Sequence, residues 1–394
     1  MTRFFSLVLV AVVLAPACSD DVDLDTSFVP STTAATTTTT APVGNLVMTP
    51  LGAMHWREMS LAAGGQGPGG GLAGIGIDDG LVLLVRSRQS QLVTCLAGSD
   101  CRTETPDLGG GSALCLASGS EMLWLGGSAD GAPAVWSSPD GSAWQLHQLP
   151  VASDFAGPAF ATEIVVSSDR TLVLAPSSGD RPMGPDNPPL VWVGDESGFE
   201  SVDNPHESML DAASASGVFG EPTTVVGDEA GFVAGLGAGP FPYTPSATSW
   251  FRSGDGIVWN EVQPSSGDTR VRGLARLGTR YLALTESGGS ESVRWSEDLA
   301  GWTELGIPGL IYGVECGRSG CAVLALEGGS YGLWLSVDGL VWDGPVPLVE
   351  FEEMGDVNGR QLVVGDGLVA VWMQPGIAET IPDTRIWIGE VVGS

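Results

Sequence analysis

Short apolar runs, bounded by Gly, Ser or Asp, recur along the chain from residue 80 onward. Six of them have the composition of buried second strands in sheets: 80–85, 121–125, 171–175, 280–284, 321–325 and 368–372. Runs of this length are typical of strands rather than helices. No window carries the period of a long amphipathic helix. The pattern therefore predicts an all-β fold made of many short strands.

A turn motif lies between these runs in four closely similar copies. The copies are Ser138-Pro-Asp140-Gly-Ser-Ala-Trp144, Ser253-Gly-Asp255-Gly-Ile-Val-Trp259, Ser296-Glu-Asp298-Leu-Ala-Gly-Trp302 and Ser336-Val-Asp338-Gly-Leu-Val-Trp342. A second tryptophan precedes each copy, at positions 136, 250, 295 and 334. A degenerate fifth copy runs from Asp195 to Phe199 after Trp192.

The motif has the residue types of a tight β-hairpin turn. An Asp carboxylate accepts backbone N–H groups within such a turn, and a Ser hydroxyl can do the same. Gly follows Asp in three copies and supplies the φ that the turn needs. The tryptophan then starts the returning strand and packs on the sheet. We therefore assign structural roles to the Ser, Asp and Trp of all four copies.

These four copies resemble the Asp-box, or BNR, repeat of the sialidase-like β-propellers. They are one residue shorter than the S-x-D-x-G-x-x-W form of that family. The resemblance implies that each turn joins the third and fourth strands of a propeller blade. It also implies that the turns lie at the periphery, away from the face that carries the active site in that family.

The repeat period predicts the number of blades. The closing aromatics at 144, 199, 259, 302 and 342 lie 55, 60, 43 and 40 residues apart, and 40–45 residues is typical of four strands per blade. Extending the period backward predicts fourth strands at Cys101 and Trp56. The chain ends on a third strand, so 56–59 is expected to pair with 385–391 and close the ring. Seven blades are predicted; six, as in sialidases, is the alternative.

The N-terminus has the features of an export signal. In residues 1–18, Arg3 precedes an apolar stretch that is too short to span a bilayer. Leu14-Ala-Pro-Ala-Cys18 resembles the lipobox of bacterial lipoproteins, which implies lipidation of Cys18 and anchoring to the outer face of the cytoplasmic membrane or to the cell surface. A secreted protein cleaved near Ala17 is the alternative. Residues 19–47 are expected to form a disordered Thr/Pro/Asp-rich tether, and 48–394 the propeller.

Charge excludes some partners. The chain has 47 acidic and 16 basic residues, all of the latter arginine, for a net charge of −31. Such a surface repels polyanions, which argues against nucleic-acid binding. The acidity is expected to serve solubility. The alternative is attraction of calcium or a basic partner, but the sequence has no Asp-x-Asp-x-Asp-Gly loop.

The cysteines predict two disulfides. Cys95 and Cys101 flank one hairpin turn, and Cys316 and Cys321 flank another, so each pair is expected to be oxidised after export. Cys115 lies in an apolar strand and is expected to be a buried thiol. The three histidines at 55, 147 and 206 are scattered and expected at the surface. No metal site or cofactor is expected, because no ligand spacing is present.

Three long segments are candidates for ligand binding: 177–189, 237–246 and 374–384. They are expected to join second and third strands, at the end of the ring opposite the turns. Pro-rich loops on a rigid scaffold are places where binding residues collect. The candidate binding residues are Arg181, Asp186, Phe241, Tyr243, Glu379 and Asp383.

Two functions fit a propeller of this kind. A sialidase-like exo-glycoside hydrolase would need an arginine triad, an acid/base Asp and a Tyr–Glu pair. The family's Arg-Ile-Pro motif is absent, and Arg270, Arg272 and Arg276 lie on one strand, whereas a triad must converge from several blades. No catalytic residue is therefore assigned. Scaffold, tether and variable loops favour a surface-tethered, non-catalytic propeller lipoprotein that binds a protein or glycan partner at the cell envelope.

Overall fold

The fold is an all-β propeller. The structure, a computed structural model, describes residues 43–49, 52–60, 72–86, 90–119, 121–151, 160–175, 190–202, 222–238, 247–263, 269–348, 357–375 and 385–392. Within these ranges every regular element is a β-strand, and the strands form seven antiparallel sheets. The predicted all-β class and the predicted count of seven blades are both confirmed.

The strands are numbered in chain order. Two precede the first complete blade: β1 Val43–Thr49 and β2 Gly52–Ser60. Blade 1 contains β3 Leu72–Ile77, β4 Gly80–Val85, β5 Gln91–Leu96 and β6 Arg102–Glu104. Blade 2 contains β7 Ser112–Ser118, β8 Leu123–Ala129, β9 Ala132–Ser138 and β10 Gln145–Gln148. Blade 3 contains β11 Glu163–Val166, β12 Thr171–Ala175, β13 Leu190–Asp195 and β14 Gly198–Ser201.

The remaining blades follow the same order. Blade 4 contains β15 Pro222–Asp228, β16 Gly231–Ala238, β17 Ala247–Ser253 and β18 Asn260–Gln263. Blade 5 contains β19 Thr269–Leu277, β20 Arg280–Ser287, β21 Ser290–Ser296 and β22 Thr303–Leu305. Blade 6 contains β23 Leu310–Cys316, β24 Cys321–Glu327, β25 Ser330–Ser336 and β26 Asp343–Pro347. Blade 7 combines β27 Val357–Val364, β28 Leu368–Pro375 and β29 Arg385–Val392 with β2 and β1.

The six apolar runs of the sequence all fall on second strands, as predicted. The run predicted to begin at residue 121 begins as a strand at Leu123. In β4 every residue is buried, because both faces of the sheet pack against a neighbouring blade. Burial on both faces explains why these strands are continuously apolar rather than alternating.

Seven buried apolar clusters lie between successive blades, and each draws side chains from two of them. One cluster joins blade 6 to blade 7 and contains Trp56 and Trp387, and another joins blade 7 to blade 1 through Trp372 and Leu83. The first strands of neighbouring blades also contact one another, and β27 contacts β3. The seven sheets therefore form a closed ring around a channel lined by their first strands.

The ring is closed by the N-terminal strand β2, as the sequence predicts. β2 pairs antiparallel with β29, with Trp56 opposite Gly389 and Met59 opposite Ile386. A Cβ atom at Gly389 would lie 2.9 Å from the Trp56 indole and 2.6 Å from the Met54 methyl group. Glycine at 389 therefore lets these two side chains pack flat on the last sheet.

A fifth strand on blade 7 was not predicted. β1 pairs with β2, with Val47 opposite Met54 and Thr49 opposite Gly52. Five residues that the sequence analysis assigned to the tether, 43–47, thus belong to the propeller. The backbone groups of β2 accommodate this extra strand because β2 would otherwise be the outer edge of the sheet.

Both predicted disulfides are present. Cys95 is bonded to Cys101, and Cys316 is bonded to Cys321. Each joins strands at a hairpin, the first between third and fourth strands and the second between first and second strands. Cys115 is a free, buried thiol that donates a hydrogen bond to the Ala161 carbonyl at 3.5 Å.

Candidate functional site

The two ends of the ring differ in what they carry. We call the end with the turns at Asp140, Asp255, Asp298 and Asp338 the turn end. The opposite end, where second strands connect to third strands, is the connection end; it includes the hairpins at 287–290 and 327–330.

The four turns share one hydrogen-bond arrangement. The Ser hydroxyl accepts the N–H of the residue after Asp, at 2.8 Å for Gly141, Gly256 and Gly339 and 2.9 Å for Leu299. The Oδ1 atom of each Asp accepts the N–H of the residue two positions after that Asp, at 2.8–2.9 Å. The Trp Nε1 donates to a turn carbonyl at 3.0–3.3 Å. The carboxylates are thus occupied by the turns themselves.

These hydrogen bonds also keep the carboxylates ionised. Backbone N–H donors hold the pKa of Asp298 and Asp338 below its ordinary value. Backbone and side-chain donation by Ser142 has the same effect on the pKa of Asp140. Burial raises the pKa of Asp255. Hydrogen bonds from the N–H groups of Val258 and Ile257 and from the Ser253 hydroxyl lower this pKa by a larger amount, so the net shift is downward.

The degenerate turn of blade 3 is shorter than the others. Only two residues separate β13 from β14, whereas six separate β9 from β10 in blade 2. Asp195 still accepts the Ser197 N–H at 2.7 Å. Phe199 takes the place of the tryptophan and packs edge-on against Trp124 of blade 2, with ring centroids 5.8 Å apart.

The predicted binding residues lie outside the described residues. They are Arg181, Asp186, Phe241, Tyr243, Glu379 and Asp383. The strands that flank their three segments are the second and third strands of blades 3, 4 and 7. Cys18, the predicted lipidation site, also lies outside the described residues.

The three arginines of β19 do not converge. Arg270 is opposite Glu286 at the connection end, whereas Arg276 is opposite Tyr281 at the turn end. Six strand positions separate them, about 20 Å. Arg272 is held by Glu291, to which it donates a hydrogen bond, and lies 3.9 Å from a Glu286 oxygen. The three side chains therefore cannot bind a single substrate carboxylate together.

A second charged network ties blade 4 to blade 5 at the turn end. Asp228 is 6% exposed and accepts hydrogen bonds from the Tyr281 hydroxyl and, at 3.1 Å, from Arg252. Its other oxygen accepts the Ala230 N–H at 2.7 Å. Burial, together with the hydrogen bond to Asp228 and its charge, raises the pKa of Tyr281 to about 12. A phenol so held does not act as a nucleophile near neutral pH.

Two glutamates lie on first strands and therefore line the channel. Partial loss of surrounding water inside the channel raises the pKa of Glu163 to about 7 and that of Glu315 to about 8. Both side chains nevertheless reach water, and Glu315 is an exposed residue. They lie on different blades, near opposite ends of the channel, so they do not form a carboxylate pair for glycoside hydrolysis.

A groove of about 510 Å³ opens at the turn end between blades 2 and 3. Its walls include Met122, Ser137 and Trp144 of blade 2 and Glu196 and Ser197 of blade 3. Sequence reasoning missed this groove. The signal that could have found it is the shortened turn of blade 3, since a shorter turn covers less of the neighbouring blade.

His147 is buried beside this groove, so its expected position at the surface is wrong. The residue is 7% exposed, and its Nε2 lies 2.8 Å from the Ser137 Oγ. Its ring packs against Trp124 and Phe199, with centroids 5.9 Å away in both cases. Burial lowers the pKa of His147, and the charge of Asp195 offsets part of that effect.

Within the described ranges, no group of three His, Cys, Asp or Glu side chains is placed to hold a metal ion. The same part of the chain contains no helix long and apolar enough to cross a membrane.

Comparison with known proteins gives matches among solved structures alone. No protein-family description and no curated protein matches the chain. Among solved structures, YCF48 bound to a D1 peptide is 14% identical and has a TM-score of 0.48, covering 86% of this chain and 97% of that one. The β-propeller domain of the Trilobed protease from Pyrococcus furiosus is 8% identical, with a TM-score of 0.47 and coverage of 82% and 96%. The polysaccharide lyase Uly1 is 10% identical, with a TM-score of 0.46 and coverage of 85% and 92%. Similarity at this level concerns the fold alone.

Proposed function

We propose that this chain is an exported lipoprotein, anchored through Cys18, whose propeller binds a protein or glycan partner at the cell envelope without catalysing a reaction. We further propose that its turns are Asp-boxes of the sialidase-like type, because all four have the same Ser–Asp–Trp contacts. The observation that carries the binding role is a closed, rigid ring with its three longest second-to-third connections, in blades 3, 4 and 7, at one end.

The path of β1 decides which end of the ring the proposed anchor would reach. β1 runs antiparallel to β2, so Val43 lies toward the connection end, where Ser60 and Arg385 are paired. Residues 19–42 would reach at most about 80 Å when fully extended. A lipid on Cys18 would therefore tether the propeller from the end that carries the candidate binding segments.

The charged groups of the described residues favour binding over hydrolysis. Arg272 is paired with Glu291, the Asp228–Tyr281–Arg252 network lies at the turn end, and the turn carboxylates are bound by their own backbone. A panel of fluorogenic glycosides is expected to show no turnover. Turnover that Arg270→Ala or Arg272→Ala abolishes would establish a glycosidase instead.

Lipidation is tested by metabolic labelling with an alkyne fatty acid. Wild-type protein is expected to carry the label and to sediment with membranes, whereas Cys18→Ser is expected to lose both properties. Cys115→Ser, a change at a buried thiol, is the matched control and should behave as wild type. An unlabelled wild-type protein would overturn the anchoring part of the proposal.

Partner binding at the connection end is tested by photo-crosslinking in intact cells. A benzoylphenylalanine placed at Tyr243 is expected to give a discrete adduct. The same probe at Val337, which is 72% exposed at the turn end of blade 6, is the control and should give none. Absence of an adduct from position 243, or the same adduct from both positions, would contradict a partner at this end.

A further inference from the structure

The groove between blades 2 and 3 is lined by four apolar and four polar residues, one of which, Glu196, is acidic. Met122, Pro139 and Trp144 supply apolar surface, and the hydroxyl of Ser137 is already engaged with His147. Glu196 is exposed on the rim and makes no hydrogen bond or ion pair with any residue that the structure describes. The groove therefore places the exposed carboxylate of Glu196 beside the apolar side chains of Met122, Pro139 and Trp144.

Several residues next to the groove residues along the chain are acidic. Glu121, Asp140 and Asp195 are sequence neighbours of the groove residues. Asp140 and Asp195 have a lowered pKa because serine side chains and backbone N–H groups donate to them, so both are anionic at neutral pH. The charge of Arg170 also lowers the pKa of Asp195. With a net charge of −31 on the whole chain, the local and the long-range fields both favour a cation.

The shape adds a second requirement. The groove lies beside the turn of blade 3, which has two residues where that of blade 2 has six. A ligand with an apolar stem and a cationic head matches an apolar patch that lies beside a carboxylate. Arginine and lysine side chains have this character, since their methylene stems pack on apolar surface while the charge stays at the rim.

We propose that this groove binds a basic side chain of a partner protein, with the stem against Met122 and Trp144 and the charged head at Glu196. The site is at the turn end, so it is additional to the binding role proposed above and does not depend on export or lipidation.

The test uses methionine-methyl NMR of the purified full chain, with the Met122 signal assigned by Met122→Leu. The probe is the pentapeptide acetyl-Gly-Ala-Arg-Ala-Gly-amide. Its neutral counterpart carries citrulline, which has nearly the same shape without the charge. The Met122 methyl signal is expected to shift saturably with the arginine peptide, and the citrulline peptide is expected to bind about fivefold more weakly.

Two exposed glutamates provide matched variants. Glu196→Gln is expected to weaken binding about fivefold, whereas Glu229→Gln, in a turn of blade 4 at the same end of the ring, should leave it within twofold. Dispersed methyl signals verify that each variant is folded. No saturable shift, equal binding of both peptides, or equal loss in the two variants would overturn the proposal, the last by showing attraction to overall charge alone.

Discussion

The Tyr281 hydroxyl of blade 5 donates a hydrogen bond to the Asp228 carboxylate of blade 4. Both side chains are buried, at 3% and 6% exposure, and Arg252 completes the network from blade 4. A buried charge needs such donors because it has lost water. The pair therefore stabilises the seam between the two blades rather than acting in chemistry.

Tyr281→Phe is expected to lower the free energy of unfolding by about 1.5–3 kcal/mol, because it removes a donor to a buried carboxylate. Denaturant unfolding measures the change. In an Asp228→Asn background the same substitution should cost less, by a coupling energy of at least about 0.5 kcal/mol. Equal costs in the two backgrounds would show that the hydroxyl does not act through Asp228.

Ser253→Ala tests the turn motif. The Ser253 side chain is 1% exposed, accepts the Gly256 N–H at 2.8 Å and donates to Asp255 at 3.0 Å. Its loss is expected to cost about 1–2 kcal/mol of stability, as for loss of a helix cap. Ser290→Ala, at an exposed hairpin position, is the control and should change stability by less than about 0.5 kcal/mol.

Leu299 occupies the turn position where the other three copies have glycine. Its φ is +65°, and it is 1% exposed in the cluster between blades 4 and 5. Leu299→Gly would relieve about 1 kcal/mol of backbone strain but remove a buried leucine worth about 2–5 kcal/mol. Net destabilisation is expected in thermal or denaturant unfolding. A more stable variant would show that strain outweighs packing here.

His147 predicts a pH dependence of stability. Because burial lowers its pKa in the folded protein, the unfolded chain binds a proton more readily, with a pKa of about 6.5. The stabilisation is thus present above about pH 6.5 and is lost as the pH falls. Between pH 7.5 and 5.0, wild type should lose more stability than His147→Gln. Equal losses would mean that another group dominates this range.

The fold was predictable because the repeat marks it directly. Each Ser–Asp–Trp copy falls at a third-to-fourth-strand turn, and Trp56 was predictable as the missing fourth strand because the chain ends on β29. β1 was not predictable, since its polar neighbours in the tether give no sign that the backbone of 43–49 pairs with β2. Pairing to an open sheet edge needs no side-chain pattern.

The site was less predictable because it depends on contacts between blades. Asp228 and Tyr281 are 53 residues apart, and no local spacing connects them. His147 lies in a polar stretch, and its ring packs against Trp124 of its own blade and Phe199 of the next blade. Glu196 has no distinguishing feature in the sequence, and its position is significant because the shortened turn of blade 3 lies beside Trp144 in the groove.

Closure of the ring by β2 is the central claim, and hydrogen–deuterium exchange mass spectrometry of the intact protein tests it most directly. Peptides covering 52–60 and 385–392 are expected to be protected as strongly as those covering β20, since all three lie in paired strands. If 52–60 instead exchanges as fast as a free peptide of the same sequence, the N-terminal strand does not complete blade 7, and the closed seven-bladed ring is wrong.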